Sequence, residues 1–223
     1  MMKSNVEIIQ DFVEQVMNQK NFDAYDQYFS SDYIAHGNPY VGNGFSLDSS
    51  ENKHIINMIF PGSPAEGNLQ VGDELIFVES ENQRWDTYEE IEQGSRQTSQ
   101  SNKFKLGIRR DDQTIVYDLT KALIKGYNIS KDQAKSGLQN VLTEEFPDLK
   151  ATILQTLADD DRLVCFLEYH GTHAKFKREV VWREAWFMRL SEGKIVEDWG
   201  ASDSETYYRQ LGYQLIPPST PED

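Results

Sequence analysis

The fold is decided by the stretch Gly42-Asn43-Gly44-Phe45-Ser46-Leu47, because a second sequence pattern begins there before the first one is complete. This stretch is followed by Pro61-Gly62-Ser63-Pro64-Ala65 and by Leu69-Gln70-Val71-Gly72-Asp73-Glu74-Leu75. From residue 40 to residue 125, short strand-like runs alternate with turn clusters, which is typical of a small β-rich domain. The sequence therefore predicts one domain inserted into another.

Helical patterns stand on both sides of this insert. A capping-box pattern at Ser4 and Glu7 predicts a helix start, and apolar residues then recur at helical spacing. These apolar residues are Val6, Ile9, Phe12, Val13, Val16 and Met17. A shorter helix is expected to begin at Asn21 or Asp23, and Ser130 is the predicted N-cap of a helix beyond the insert.

Strand-like segments follow that later helix. The predicted strands cover residues 151–157, 162–169, 179–190 and 195–202, with a tight turn at Glu192-Gly193-Lys194. Joining residues 1–39 to residues 126–216 gives helices first and antiparallel strands afterwards, so the predicted fold class is α+β, with helices covering one curved antiparallel sheet. Residues 40–125 form the inserted β-rich domain, and residues 217–223 are predicted to be a flexible tail.

Composition and charge argue against several classes of partner. The chain has 223 residues and a formal net charge of -15, with the acidic residues spread along the sequence. Nucleic acids and anionic membrane surfaces require a basic face, so neither is an expected partner. Cys165 is the single cysteine, so no intramolecular disulfide can form. The N-terminus lacks the apolar core of a signal peptide, and we expect a cytoplasmic protein.

Several short motifs in the outer segments carry a family resemblance. In chain order they are residues 32–39 (DYIAHGNP), 145–149 (EFPDL), 171–173 (GTH), 189–199 (RLSEGKIVEDW), Asp203 and 209–212 (RQLG). Through these motifs the chain resembles the SnoaL-like polyketide cyclase family, within the nuclear-transport-factor-2-like superfamily. The resemblance implies a cone-shaped α+β barrel with a deep pocket, assembled as a homodimer.

Asp203 is the candidate acid/base residue of this barrel. Side chains alternate along a strand, so Ile195, Glu197, Trp199, Ala201 and Asp203 are predicted to share one face. Because most of this row is apolar, we expect the face to point inward and Asp203 to be partly desolvated, with a raised pKa. The alternative is that Asp203 caps the following helix. The resemblance favours the catalytic role, since the acid/base aspartate of the family matches Asp203.

Two histidines and several aromatic residues complete the candidate pocket. The resemblance places the two histidines of the family at His36 and His173, and either imidazole could orient a substrate oxygen or carry a proton near neutral pH. Candidate ligand-pocket residues are Tyr33, Trp182, Trp186 and Trp199. Aromatic residues at strand spacing are also typical of an ordinary core. No metal and no cofactor are expected.

The inserted segment resembles a PDZ domain over residues 40–124. Glycines allow consecutive backbone N–H groups to converge, which makes a nest for a terminal carboxylate. The strand after them would accept a peptide by β-augmentation, beside a helix predicted over residues 87–93. The candidate peptide-binding residues are Gly42, Asn43, Gly44, Phe45, Leu47 and Ile91.

Two functions are therefore open. In the first, a SnoaL-like barrel binds a small apolar carbonyl compound and carries out acid/base chemistry of the cyclase, isomerase or lyase type, next to a peptide-binding module. In the second, the protein is a non-catalytic adaptor or sensor. The insert then binds a protein C-terminus, and the barrel binds a ligand or a second subunit.

Overall fold

A computed structural model describes residues 3–50, 52–80, 83–91 and 102–214. These residues form two compact units: unit 1 comprises residues 3–38 and 128–214, and unit 2 is Pro39–Tyr127. The sequence placed the insert at residues 40–125, and its predicted tail at 217–223 lies outside the described residues. No helix in the described part is long and apolar enough to cross a membrane.

Most of the described secondary structure is β. The strands are β1 (Phe29–Gly37), β2 (Tyr40–Gly42), β3 (Phe45–Ser50), β4 (Lys53–Ile59), β5 (Glu74–Ser80), β6 (Gln83–Trp85), β7 (Lys103–Arg110), β8 (Gln113–Thr120), β9 (Ala122–Ile124), β10 (Tyr127–Ser130), β11 (Lys150–Asp159), β12 (Arg162–His173), β13 (Arg178–Ser191) and β14 (Lys194–Ser202). The labelled helices are α1 (Asn5–Phe12), α2 (Tyr25–Tyr28), α3 (Lys131–Asn140) and α4 (Ser204–Gln210). α1 and α3 continue as π-helical segments, Val13–Asn18 and Val141–Glu145.

The helix starts of unit 1 follow from local capping. Ser4 accepts a hydrogen bond from the Glu7 backbone, and the Glu7 side chain accepts one from the Ser4 backbone, so the predicted capping box is confirmed. Ser130 and Gln133 form the same reciprocal pair at the start of α3, which confirms the predicted N-cap there. The shorter helix expected near residue 21 is a 3-10 turn, Phe22–Ala24, which leads into α2.

One six-stranded sheet forms the framework of unit 1. Its strand order is β10-β1-β14-β13-β12-β11. β11 to β14 are antiparallel neighbours, whereas β1 lies parallel to β14. The sheet and its helices confirm the predicted α+β fold with a curved antiparallel sheet.

A β-bulge at the start of β14 reverses the side-chain alternation that the sequence predicts. Glu197 pairs with Arg189, but the next pair along the ladder joins Ile195 to Leu190, which leaves Val196 as an extra residue. Ile195 and Asp198 are therefore both buried. The prediction that Trp199, Ala201 and Asp203 share the inward face with Ile195 is wrong, because the bulge lies between them.

The core of unit 1 forms between the helices and the inward face of the sheet. The apolar stripe of α1 contributes Ile8, Ile9 and Phe12, and its π-helical extension contributes Val13, Val16 and Met17. Phe12 packs edge-on against Phe29, with ring centroids 5.3 Å apart. From the sheet, Leu163, Cys165, Leu167, Val180, Met188 and Leu190 are buried in the same cluster. Cys165 is thus a core residue, and burial raises the pKa of its thiol to about 11.

Unit 2 has a sheet and a core of its own. Its main sheet has the order β3-β4-β5-β7-β8, with β6 paired to β5, while β2 and β9 form a separate two-stranded ribbon. Residues 88–91 are helical, where the sequence predicts a helix over 87–93; residues 92 and 93 lie outside the described part. Buried residues of this unit include Ile56, Leu106 and Ile108.

Candidate functional site

Asp198 is a buried carboxylate on the inward face of β14. Its residue is 8% exposed, and its Oδ2 atom accepts two hydrogen bonds. The Tyr33 hydroxyl donates at 2.6 Å, and Nε1 of Trp186 donates at 2.8 Å. Burial raises the pKa of Asp198, and the two donors partly offset that effect by stabilising the ionised form.

Glu184 is a second carboxylate on the inward face, and it lies on β13. It is partly buried, and no described residue forms a hydrogen bond or an ion pair with it. Burial raises the pKa of Glu184 to about 7, with a further contribution from the negative charge of Asp198. The carboxyl group therefore changes protonation state near neutral pH.

Gly200 makes room for the Glu184 side chain. A Cβ atom at Gly200 would lie 2.8 Å from Oε1 of Glu184, which is too close for a real contact. Gly200 does not adopt a left-handed conformation, so the effect of a substitution there comes from this contact, which the flexible end of Glu184 would have to relieve by shifting. A larger residue at position 200 would displace the carboxylate.

Aromatic rings surround the two carboxylates. Trp182 and Trp186 lie two residues before and after Glu184 on β13, so all three side chains point to the same side of the sheet. Tyr169, on β12, stacks against Trp182 with ring centroids 5.0 Å apart and an interplanar angle of 27°. Burial also raises the pKa of Tyr169 well above its ordinary value. Trp182, Trp186 and Glu184 are partly buried, so the rings reduce the contact of the Glu184 side chain with water without removing it.

Three predicted pocket residues gather at this site, and they are Tyr33, Trp182 and Trp186. The fourth, Trp199, lies on the opposite face of the sheet and is 41% exposed. His36 is its direct neighbour in the ladder between β1 and β14, and the two rings stack at 4.6 Å. The prediction for Trp199 is wrong because of the bulge in β14, which points the side chain of Asp198 inward and that of the following residue outward.

His36 belongs to a polar network on that outer face. Its Nε2 atom lies 3.1 Å from Glu197, and its Nδ1 atom lies 3.2 Å from Oδ1 of Asn128. Glu197 also pairs with Arg189, and the Arg189 hydrogen bond lowers the pKa of the Glu197 carboxyl. The network connects β10, β1, β14 and β13 on the side of the sheet away from Asp198.

Asp203 caps a helix. Its Oδ1 atom accepts a hydrogen bond from the Thr206 backbone at 3.1 Å at the start of α4, and its side chain is exposed. Hydrogen bonds from Thr206 lower the pKa of Asp203. The expectation of a desolvated Asp203 with a raised pKa is therefore wrong, because the strand ends before its side chain can enter the core. The geometry corresponds to the capping alternative.

His173 lies at the end of β12, where the chain turns into the hairpin with β13. Its Nδ1 atom accepts a hydrogen bond from the Lys175 backbone at 3.2 Å. Its ring packs edge-on against Phe146, with centroids 5.0 Å apart, and Phe146 also contacts Trp182. Phe146 therefore lies in contact with both His173 and Trp182.

Neither Glu184 nor Asp198 is among the site residues predicted from the sequence. A usable signal was present for Glu184, because strand alternation makes residues 182, 184 and 186 neighbours on one face. A glutamate between two tryptophans on an inward face is a polar residue where the pattern predicts an apolar one. Asp198 carried no comparable signal, since its position depends on the bulge at Val196.

The candidate peptide-binding residues of unit 2 begin in the β2–β9 ribbon. Gly42 pairs with Ala122 there, and Gly44 has a φ angle of +82°, a conformation that glycine adopts readily. A Cβ atom at Gly44 would lie 1.9 Å from Cβ of Ser63. The Ser63 hydroxyl donates to the Gly44 carbonyl at 3.1 Å, so Ser63 fixes one side of this loop. The Oδ1 atom of Asn43 is buried without a hydrogen-bond partner.

The apolar members of that set pack into the core of unit 2. Phe45 and Leu47 are partly buried against the core cluster, and Ile91 is itself a buried member of it. β3, which carries Phe45 and Leu47, forms one edge of the main sheet of unit 2. Among the described residues of both units, no group of His, Cys, Asp and Glu side chains is arranged to hold a metal ion.

A sequence model of the SnoaL-like polyketide cyclase family matches residues 115–211. This range contains both Glu184 and Asp198. Among curated proteins, no sequence matches the chain significantly.

Several solved structures resemble this protein. Wild-type IdmH from Streptomyces antibioticus, proposed to be a polyketide cyclase, is 14% identical, with a TM-score of 0.52 and coverage of 95% of this chain and 100% of that chain. AclR from Streptomyces galilaeus, a proposed hydroxylase, is 13% identical, with a TM-score of 0.49 and coverage of 95% and 98%. A proposed polyketide cyclase from Bacillus cereus is 26% identical, with a TM-score of 0.34 and coverage of 37% and 54%.

The family match and the fold shared with IdmH support the predicted resemblance to the SnoaL-like family and its nuclear-transport-factor-2-like fold. They give no support to the PDZ resemblance of the insert, which stays a prediction.

Proposed function

We propose, with the SnoaL-like match as the premise, that unit 1 binds a small molecule beside Glu184 and that this carboxylate transfers a proton during the reaction. The chemistry is of the cyclase, isomerase or lyase type, since each of these reactions moves a carbon-bound proton. Aromatic walls around Glu184 favour a compact and largely apolar carbonyl compound as substrate.

The observation that carries this proposal is the carboxyl group of Glu184, which has a pKa of about 7 and no hydrogen-bond or ion-pair partner among the described residues. A general base works best when its pKa lies near the operating pH, because it is then ionised often enough to accept a proton and still basic enough to remove one. Asp198 is less suited to this role, because Tyr33 and Trp186 already occupy its Oδ2 atom. Asp203 is exposed and has a lowered pKa.

The proposed step uses the ionised form of Glu184. The carboxylate removes a proton from a carbon next to the substrate carbonyl, and the electron pair of the broken C–H bond forms an enolate. The protonated carboxyl group then returns the proton to the product or to a leaving group. Asp198 raises the basicity of Glu184 through its negative charge.

The test measures hydrogen–deuterium exchange at the α-carbon of 2-tetralone in D2O by NMR. We expect Glu184→Gln to reduce the enzyme-dependent exchange by about 10²- to 10⁴-fold, the range found for general bases. The control is Asp203→Asn, which keeps a good helix N-cap and should leave the exchange unchanged. Exchange that survives Glu184→Gln but disappears in Asp203→Asn would assign the reaction to Asp203 instead.

A second proposed function is peptide binding by unit 2. It is favoured by the position of β3 at the edge of its sheet, directly after the left-handed Gly44. An edge strand offers unpaired backbone groups to an added strand. Binding to an array of C-terminal peptides should be lost in Phe45→Ala while the β-sheet circular dichroism is retained. Identical array profiles for the two proteins would argue against this function.

We also propose that unit 1 forms a homodimer through the outer face of its sheet. Strand register aligns Leu157, Val164, Phe187, Trp199 and His36 in one row across five strands. Leu157 is 64% exposed and Phe187 is 42% exposed. Trp199 is also exposed, at 41%, while Val164 and His36 are partly buried. Exposed apolar side chains brought together on one sheet face favour an interaction surface.

A further inference from the structure

We propose that the ligand bound beside Glu184 carries a positively charged nitrogen attached to an apolar ring or ring system. This inference rests on the proposed function, because it concerns the same site: the largely apolar carbonyl compound proposed above carries, in addition, a cationic nitrogen that pairs with Glu184. Three features of the site carry it: the charge balance, the aromatic walls and the space around the carboxylate.

The charge balance of the site is negative. Glu184 has no lysine, arginine or histidine partner among the described residues, and the charged group that acts on it is Asp198, another acid. Two carboxylates in a partly desolvated site repel each other, and both are less stable there than in water. A cationic ligand removes this repulsion by pairing with Glu184. An anionic ligand would add a third negative charge.

The aromatic walls suit the same ligand. Trp182 and Trp186 flank Glu184 on β13, and Tyr169 stacks on Trp182. The face of an indole ring carries negative electrostatic potential and attracts ammonium groups, most strongly where water is excluded. The same rings offer apolar surface to the rest of the ligand. A carboxylate between indoles therefore recognises a cation and its hydrophobic substituent together.

The space at Gly200 leaves the Glu184 carboxylate free to pair with a ligand. Because position 200 lacks a Cβ atom, Oε1 of Glu184 occupies a place that any other residue would fill. The hydroxyl and indole donors of Tyr33 and Trp186 are committed to Asp198. Within the part of the chain that the structure describes, Glu184 is thus the carboxylate of this site without a partner, and its ligand has to supply the opposite charge.

This assignment requires the affinity for a permanent cation to rise with pH. The ionised form of Glu184 binds the cation, and the pKa of this group is about 7. Between about pH 6 and about pH 8 the ionised fraction increases roughly ten-fold, and the apparent affinity follows the competent fraction. Binding of the cation in turn lowers the pKa of Glu184, by linkage. A neutral ligand of the same shape has no such dependence on this group.

The experiment is a titration of the whole chain, followed by tryptophan fluorescence and calorimetry, with three aromatic probes. The probes are benzyltrimethylammonium, benzyl alcohol and benzoate. At about pH 8 we expect the cation to bind at least about ten-fold more tightly than benzyl alcohol or benzoate. At about pH 6 the affinity for the cation should be about ten-fold lower than its own value at about pH 8. Equal affinity for the three probes, or no cation binding up to about 10 mM, overturns the proposal.

Substitutions of Glu184 test whether the preference for the cationic probe depends on this side chain. Glu184→Gln keeps the shape but removes the charge, so we expect the cation preference and its pH dependence to disappear. Glu184→Asp keeps the charge and should retain the preference with weaker binding. Glu179→Gln, on the same strand but exposed, is the control and should bind like the unmodified chain. A cation preference that survives Glu184→Gln overturns the assignment.

The outcomes separate this inference from the proposed function. If the cation binds through Glu184 but no α-carbon exchange occurs, the proton-transfer function fails and the ligand class stands. If exchange depends on Glu184 but the cation is not preferred, the ligand class fails and the function stands.

Discussion

Two acidic side chains of unit 1 differ at the scale of single residues. Asp198 is held by two donors and is buried, whereas Glu184 has no hydrogen-bond or ion-pair partner among the described residues and has a pKa of about 7. In the proposed function this difference assigns the proton transfer to Glu184 and not to Asp198. We regard Asp198 as a positioning residue, because it acts on a substrate through Glu184.

The first residue-scale prediction concerns Asp198→Asn. Removal of the negative charge removes a repulsion that disfavours ionised Glu184, so the pKa of Glu184 should fall below 7. NMR titration of ¹³C-labelled glutamate carboxyl groups measures this pKa directly, and the pH dependence of α-carbon exchange should shift in the same direction. An unchanged or higher pKa of Glu184 would contradict the proposed interaction.

The second residue-scale prediction links Glu184 to stability. Its pKa in the folded state is raised to about 7, above the ordinary value for glutamate, so the folded protein binds more protons than the unfolded chain between those two values. The stability contribution of Glu184 is therefore present at low pH and is lost as the pH rises through 7. Glu184→Gln should raise the free energy of unfolding by about 2 kcal/mol at about pH 8, and by much less at about pH 4.5.

Urea unfolding at the two pH values measures this difference. Glu192→Gln is the control, since this glutamate is exposed in the turn that follows β13. A stability gain that is equal at both pH values would show that the effect does not come from the ionisation of Glu184. If Glu184→Gln raises the free energy of unfolding only at the higher pH, the ionised carboxylate of Glu184 destabilises the folded protein.

At the scale of elements, the bulge in β14 positions Asp198. The extra residue Val196 allows Ile195 and Asp198, three positions apart, to face the same interior. The helix starts were predictable because capping depends on residues a few positions apart, as at Ser4 and Ser130. The bulge was not predictable in this way, because it depends on how β14 pairs with β13.

Insertion of an alanine between residues 189 and 190 of β13 tests the role of the bulge. The insertion gives Val196 a partner, so the ladder becomes regular, and Ile195 and Asp198, three positions apart, can no longer both point inward. Either the burial of Ile195 or the hydrogen bonds to Asp198 are then lost, and we expect the free energy of unfolding to fall by more than about 3 kcal/mol. The control is deletion of Val196, which also makes the ladder regular but leaves Ile195 and Asp198 two positions apart, so both side chains stay inward and the cost should be far smaller. Similar stability of the two variants in denaturant titrations would mean that the bulge does not position Asp198.

At the scale of the whole molecule, the outer row of apolar residues leads to a prediction about assembly. Phe187 lies in the middle of this row, between Val164 and Trp199 in the ladder. Phe187→Glu would place a charge at the centre of the proposed homodimer interface, where desolvation is costly. Sedimentation velocity should show a dimer for the unmodified chain and a monomer for the variant. Val181→Glu, an exposed apolar position outside the row, should remain dimeric; a monomeric unmodified chain would contradict the proposal.

The sequence by itself determined the features that depend on neighbouring residues. Helix caps, apolar stripes, strand segments and the α+β class all follow from periodicity and local hydrogen bonding. It also placed Trp182 and Trp186 on one face, because they lie at regular positions on a strand predicted over residues 179–190. The motifs that resemble the SnoaL-like family could be read in the same way.

Only the tertiary structure decided which acid lies inside. The family resemblance favoured Asp203, but α4 begins at once and uses that carboxylate as its cap. A bulge at Val196, earlier in β14, places Asp198 in the core. The raised pKa of Glu184 likewise depends on burial by residues far apart in the chain and on the charge of Asp198. Strand register and desolvation are properties of packed elements, so no local pattern along the chain specifies them.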